Sequence, residues 1–328
     1  MTTRSILLMT GAALALAGCG GGSSVTRAPT IPASEQATRV YSDTAGDAGD
    51  VISNDETLTA RSVASAGLTL DYDSSGPGNT GVVRPRAAIR RNANGELTLT
   101  VDGVDHDFTT ADREVEPGGE VYGYQGEDDA NSRYYSAFSQ TGEIDEFFAN
   151  GNGYAEVLGY QTNLVSGAVN IRGYAVFGTE TRDADLAGLP TATYNGRGRL
   201  ELAPATGWVN NETSRTTLRS DVNMTANFGA GTISGAMTNF TLRPPGGTDA
   251  PIAGSVAMNS APFAVNAYQG RLAPDAAFSA STGVSSLNAT YSGAFYGGAA
   301  QETGGVISGT GTRNGGDVNA TGFFFANQ

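Results

Sequence analysis

An all-β chain ending in an eight-stranded antiparallel β-barrel is the fold class that this sequence predicts. No window sustains apolar residues at the 3.6-residue helical period. Short segments alternate apolar with polar residues instead, separated by Gly, Asn or Pro. Glycine reaches 46 of 328 residues. After residue 190 the alternating runs recur at a spacing that fits about eight strands, enough to close a barrel.

The chain opens on a different signal. Arg4 precedes an apolar run from Ile6 to Ala17, too short for the ~20 apolar residues of a membrane-spanning helix. It reads as a cleavable secretion signal over residues 1–18. The run ends in Leu16-Ala17-Gly18-Cys19, which resembles the lipobox of bacterial lipoproteins. That resemblance implies cleavage before Cys19, a diacylated thiol, and usually a further acyl chain on the new amino group. Cys19 is the only cysteine, so an exported chain has no internal disulfide and the thiol is left for acylation. Two or more acyl chains anchor a protein stably where one is marginal. Gly20 stands where an aspartate would favour inner-membrane retention, so the expected destination is the outer membrane of a Gram-negative cell.

Residues 19–57 read as a flexible acylated tether, with Gly-Gly-Gly-Ser-Ser, Pro29, Pro32 and spaced acids at Asp43, Asp47 and Asp50. Those acids lack the spacing of a calcium loop. A first folded region follows over residues 58–185. Leu68, Leu70 and Tyr72 alternate, as do Leu97, Leu99 and Val101, and Val165–Phe177 supplies one or two more strands. The acidic stretch around Glu114–Asp129 reads as including long exposed loops, and Ile144–Ala149 as a short helical turn. His106, the sole histidine, lies between Asp105 and Asp107 and reads as a surface residue near a strand end.

The strand signal sharpens over residues 186–328. Val222, Met224, Ala226 and Phe228 alternate with Asp221, Asn223, Thr225 and Asn227, which places one set in a core and the other in water. Gly229-Ala230-Gly231 turns the chain into Thr232-Ile233-Ser234-Gly235. Phe263 and Val265 alternate in the next run. Leu287, Ala289, Tyr291, Gly293 and Phe295 share one face of a later one. Asn314-Gly315-Gly316 turns into the last strand. Phe295 and Phe324 are expected inside the barrel and Asn223 outside. Interior glycines such as Gly293 and Gly322 are expected where the wall bends.

The charges exclude several functions. The 19 basic residues are all arginine, set against 33 acids for a net −14. A chain this acidic is not built to hold nucleic acid. Without lysine there is no phosphate-binding Gly-x-x-x-x-Gly-Lys-Ser/Thr loop. One histidine and one cysteine make no Cys/His metal cluster. No Gly-x-Ser-x-Gly elbow accompanies His106. No catalytic, metal or cofactor-binding residue is expected, and Cys19 is the one site residue.

The most specific motif lies near the C-terminus. Tyr291-Ser-Gly293-Ala-Phe295-Tyr296-Gly297-Gly298-Ala-Ala-Gln-Glu302-Thr-Gly304-Gly305-Val306 resembles a motif of transferrin-binding protein B-like surface lipoproteins, with Gly322-Phe-Phe-Phe-Ala-Asn-Gln328 as the matching last strand. Leu189–Gly196 and Ala226–Gly235 look like opening strands of the same barrel. The resemblance covers residues 175–328 and implies structural aromatics, closely approaching strands, and a Glu302 that bonds to turn amides. It also implies that residues 58–185 form a handle-like β domain, in a small single-lobed relative of a bilobal family. The function it implies is a lipid-anchored lipoprotein on the outer face of the outer membrane. Such a protein binds a ligand or carrier protein as accessory to a TonB-dependent transporter. The alternative is an adhesive lipoprotein that binds a host or environmental macromolecule without import.

Overall fold

A computed structural model of the chain describes residues 40–41, 58–71, 78–85, 87–91, 96–101, 103–115, 121–128, 133–139, 154–163, 169–178, 180–208, 215–242, 249–263 and 265–328. In chain order the first strands are β1 (Val40–Tyr41), β2 (Leu58–Asp71), β3 (Gly78–Val83), β4 (Ala87–Arg91), β5 (Leu97–Val101), β6 (Val104–Phe108), β7 (Arg113–Val115), β8 (Val121–Asp128), β9 (Arg133–Ser139), β10 (Ala155–Asn163) and β11 (Val169–Gly178). After the short helix α1 (Asp183–Leu186) come β12 (Ala192–Pro204), β13 (Thr206–Trp208), β14 (Thr216–Asn227), β15 (Thr232–Leu242), β16 (Ala250–Pro251), β17 (Val256–Pro262) and β18 (Tyr268–Pro274). Helix α2 (Ala276–Thr282) leads into β19 (Val284–Tyr296), β20 (Glu302–Arg313) and β21 (Gly316–Asn327).

Strands with one apolar face bury it by closing on themselves. The order β14-β12-β21-β20-β19-β18-β17-β15 is completed by direct pairing of β14 with β15, a closed eight-stranded barrel. All its pairings are antiparallel, and closure removes the free edges. The alternation holds as expected. Val222, Met224, Ala226, Tyr291, Phe295 and Phe324 lie in the core, while Asn223, Thr225 and Asn227 are exposed. Apolar inside with polar outside is the inverse of a membrane-spanning barrel wall.

Glycine and aromatic residues fit each other inside. A Cβ on Gly270 would stand 2.4 Å from the Tyr291 ring, and one on Gly305 would stand 2.7 Å from Phe324 Cζ. The rings therefore lie directly on glycine backbone, a role beyond the bending expected from sequence. Phe295 sits with its ring centroid 5.1 Å from Phe228, 5.1 Å from Phe263 and 5.3 Å from Tyr268. Phe324 meets Tyr291 edge-on at 5.9 Å. These geometries suit the aromatic quadrupole, and they fill the lumen. Asn314 and Gly315 both take positive φ, 51° and 80°, as a two-residue hairpin turn requires.

The earlier strands form an open sheet in the order β6-β5-β4-β2-β11-β10-β9-β8-β7, with β1 and β3 also pairing β2. Strands β10 and β11 are buried on both faces. Leu158, Tyr160, Ala175 and Phe177 pack against Ile89, Leu97, Leu99, Val101 and Phe108. The alternate residues Val157, Tyr174 and Val176 pack against Ala294, Tyr296, Val306, Phe323 and Phe325 on the outside of the barrel. The first sheet thus covers one wall of the barrel.

Several readings shift. The stretch around Glu114–Asp129, read as including loops, also contains the paired strands β7 and β8. They stand last in the order of the sheet, with β7 at its end. His106 is buried at 3% exposure, not on the surface, because alternation puts it with Phe108 and turns Asp105 and Asp107 the other way. Those acids accept hydrogen bonds from Thr100 and Thr98 at 2.6 Å. The strand expected through Phe263 and Val265 stops at Pro262. Val40–Tyr41 pairs with β2 inside the stretch read as tether. The remainder of that tether, Cys19 and Ile144–Ala149 lie outside the described residues.

Candidate functional site

The covered wall carries the most concentrated polar chemistry among the described residues. Strand β12 runs Arg197-Gly198-Arg199-Leu200-Glu201, so period-two geometry sends both arginines and the glutamate outward while Leu200 enters the lumen. Register places Arg199 beside Phe323 and Glu201 beside Thr321 on β21. Strand β11 brings Arg172 and Tyr174 over them.

Glu201 is completely buried. Its Oε1 accepts from the Tyr174 hydroxyl at 2.7 Å and from Arg215 at 3.1 Å. Its Oε2 lies 3.6 Å from Arg172 Nε. Arg199 donates to the Tyr174 hydroxyl at 3.4 Å and lies over the Phe323 ring, 5.8 Å from its centroid. Burial alone raises the Glu201 carboxyl, but Arg172, Arg215, Arg199 and the Tyr174 hydroxyl outweigh it and hold the group below its ordinary value. Burial, then the Glu201 charge, pushes the Tyr174 hydroxyl up. The carboxylate stays ionised and the phenol protonated, which suits a fixed ion network and not proton transfer.

Polar bonds fasten the two sheets elsewhere too. Thr80 of β3 donates its amide to Ala205 O at 3.0 Å and its hydroxyl to Pro204 O at 2.8 Å, and receives Asn319 Nδ2 at 2.8 Å. Strand β13 pairs with β3. Arg84 donates to the Thr290 hydroxyl on β19.

The connector into the barrel is pinned by Asn266, which is 5% exposed. Its side-chain amide donates to Thr181 O at 2.7 Å and Phe295 O at 2.8 Å, and its carbonyl accepts from Phe295 N at 2.7 Å. Asp183 Oδ1 accepts from the Asn266 backbone N–H at 2.6 Å. Tyr194 donates to Ala300 O at 2.7 Å across the same end. This end of the barrel is closed by side chains that satisfy backbone groups.

Glu302, the acid of the C-terminal motif, is 1% exposed on β20, opposite Asn327. Glu201 lies opposite Thr321, six positions along the same strand from Asn327. At the usual strand rise that separates the two buried acids by roughly 20 Å, beyond the roughly 5–9.5 Å of a glycosidase carboxylate pair. Among the described residues no three His, Cys, Asp or Glu side chains are grouped as for a metal ion. No described helix is long and apolar enough to cross a membrane.

Sequence reasoning placed Phe295, Phe324 and Asn223 correctly but missed Arg172, Tyr174, Arg199, Glu201 and Arg215. The one available signal was the alternation of charge along Arg197–Glu201, which also fits a wall facing water.

Comparison with known proteins agrees with the barrel. Residues 188–328 match the family of C-lobe and N-lobe β-barrels of Tf-binding protein B. No curated protein matches the chain by sequence. A mutant of Transferrin Binding Protein B from Haemophilus parasuis Hp5 aligns at TM-score 0.43 and 15% identity, over 81% of this chain and 45% of that one. The isotype 1 protein from serogroup B Neisseria meningitidis aligns at TM-score 0.40 and 16% identity, over 80% and 43%. HpuA from Kingella denitrificans, in complex with human haemoglobin, aligns at TM-score 0.31 and 14% identity, over 86% and 90%. The chain spans less than half the length of the two transferrin-binding proteins. Its residues 188–328 form a transferrin-binding-protein-B-like barrel.

Proposed function

We propose that this chain is a lipid-anchored outer-membrane lipoprotein, facing the cell exterior, that captures a protein and presents it to a TonB-dependent transporter. The observation that carries this reading is a barrel of the Tf-binding protein B type whose lumen is occupied by its own aromatic rings. A filled lumen leaves the outer surfaces and loops for recognition, which suits a macromolecule better than a small molecule. The cargo class follows the named relatives: one binds transferrin by name, and HpuA was solved with haemoglobin. Acylation at Cys19 supplies the anchor, and the net charge of −14 argues against nucleic acid as partner.

Two measurements test this. Protease added to intact cells should remove the folded part; protection until the cells are permeabilised would place it in the periplasm. The acylated full chain, used as bait in solubilised outer membranes, should retain a TonB-dependent transporter and its cargo. Retention of a matrix or immune protein with no transporter would favour adhesion instead. Cys19→Ala should lose its lipid by mass spectrometry, and a lipidated mutant would contradict the anchor.

A further inference from the structure

One junction between neighbouring barrel strands is only half made. Among the described residues, β17 and β18 pair at Val256, Ala257 and Met258, opposite Pro274, Ala273 and Leu272. Past Met258 each strand keeps only its other neighbour. Ala261 and Pro262 pair with Ile233 and Thr232 of β15, and residues 268–271 pair with 290–293 of β19. The cause is local: β17 sets both Asn259 and Ser260 against the single Ser234 of β15. A strand with one residue too many bends at the bulge and leaves its ladder. The parted stretch is bounded at both ends. The Met258–Leu272 pair closes one. At the other, Phe263 N donates to Gly231 O at 2.8 Å and Asn266 bonds to Phe295.

One side chain spans the parted stretch from inside. Tyr291 stands on β19 opposite Gly270 of β18, and a Cβ on Gly270 would lie 2.4 Å from its ring. The ring therefore passes beneath β18, and its hydroxyl donates to Asn259 O on β17 at 2.5 Å. We propose that this stretch is a built-in opening in the barrel wall, latched by Tyr291. Strands β17 and β18 part there in local fluctuations while the other junctions of the barrel stay paired. Parting breaks no backbone ladder, only the Tyr291 bond and the side-chain contacts beneath it. Strands β20 and β21, by contrast, face each other over twelve residue pairs and separate only at the cost of that ladder. Asn259 and Ser260 are exposed, so the opening faces solvent. Segments that open this way lie at the low-stability end of a fold.

The test is native-state hydrogen exchange on the full chain carrying Cys19→Ser, at a series of denaturant concentrations well below unfolding. Amides of residues 259–261 and 269–271 should exchange faster than those of β20 and β21. Their rates should be nearly independent of denaturant, because a local opening exposes little surface. Tyr291→Phe should accelerate exchange in both segments about tenfold, the effect of one buried hydrogen bond. Tyr194→Phe removes another buried hydroxyl bond, to Ala300 O, away from the opening, and should leave both segments unchanged. Exchange of these amides only through global unfolding, with the same steep denaturant dependence as β20 and β21, would overturn the proposal in the wild type alone. Equal acceleration by the two variants would also overturn it, since Tyr291 would then be one more core side chain and not a latch.

Discussion

The barrel has two outer walls built from the same kind of strand. On β14, alternate residues Asn223, Thr225 and Asn227 face water, and the apolar set between them faces the lumen. On β21, Phe324 enters the lumen while its neighbours Phe323 and Phe325 turn outward and are buried under the first sheet. The open wall keeps the apolar-polar alternation; the covered wall replaces it with a continuous apolar run. What differs is the medium beyond the wall, not the geometry of the strand. The covered wall also carries Glu201, Arg199 and their partners, which an open wall would leave hydrated.

That contrast predicts a graded response to substitution. Phe324→Ala should have the largest effect, about 3–5 kcal/mol for a fully buried phenylalanine, read as a large fall in melting temperature. Phe295→Ala should behave alike; a small change in either would mean that the lumen is not the core. Glu201→Gln should cost about 3 kcal/mol, the lower edge for breaking a buried ion pair. The cost follows from leaving Arg172 and Arg215 without their carboxylate.

The Glu201 substitution also has a pH signature. The folded carboxyl lies below its ordinary value. Its stabilising contribution is therefore fully present above the unfolded value and is lost as pH falls through the folded one. Chemical denaturation at a series of pH values should show a constant gap between wild type and Glu201→Gln above that range and a narrowing gap below it. A gap that widened on acidification would reverse the assignment. At the far end of the scale, Asn223→Ala removes only an exposed hydrogen bond to Asn195 and should fall within about 0.5 kcal/mol. A loss as large as that of Phe324→Ala would mean that the open wall is not open.

The same contrast explains what the sequence revealed. The closed barrel was legible because Val222–Phe228 and Leu287–Phe295 alternate cleanly and Asn314-Gly315 demands a tight turn. Phe324 could be assigned inward for the same reason. Phe323 and Phe325 could not be assigned, since alternation says that they face outward and nothing local says what covers them. Arg199 and Glu201 were hidden by that ambiguity, because charges on the outward face of a strand ordinarily mean water. His106 was misread for a related reason. Its acidic neighbours dominated the local composition, while strand geometry turned them to the opposite face. In β7 and β8, acidic residues masked strands that stand last in the order of the sheet.

Hydroxyl-radical footprinting of the folded full chain tests the contrast between the walls most directly, residue by residue along β21. Phe323 and Phe325 should be protected as completely as Phe324, because the first sheet covers the wall on which they stand. Oxidation of Phe323 and Phe325 at or above the level of half-buried Tyr154, with Phe324 still protected, would contradict the covered wall.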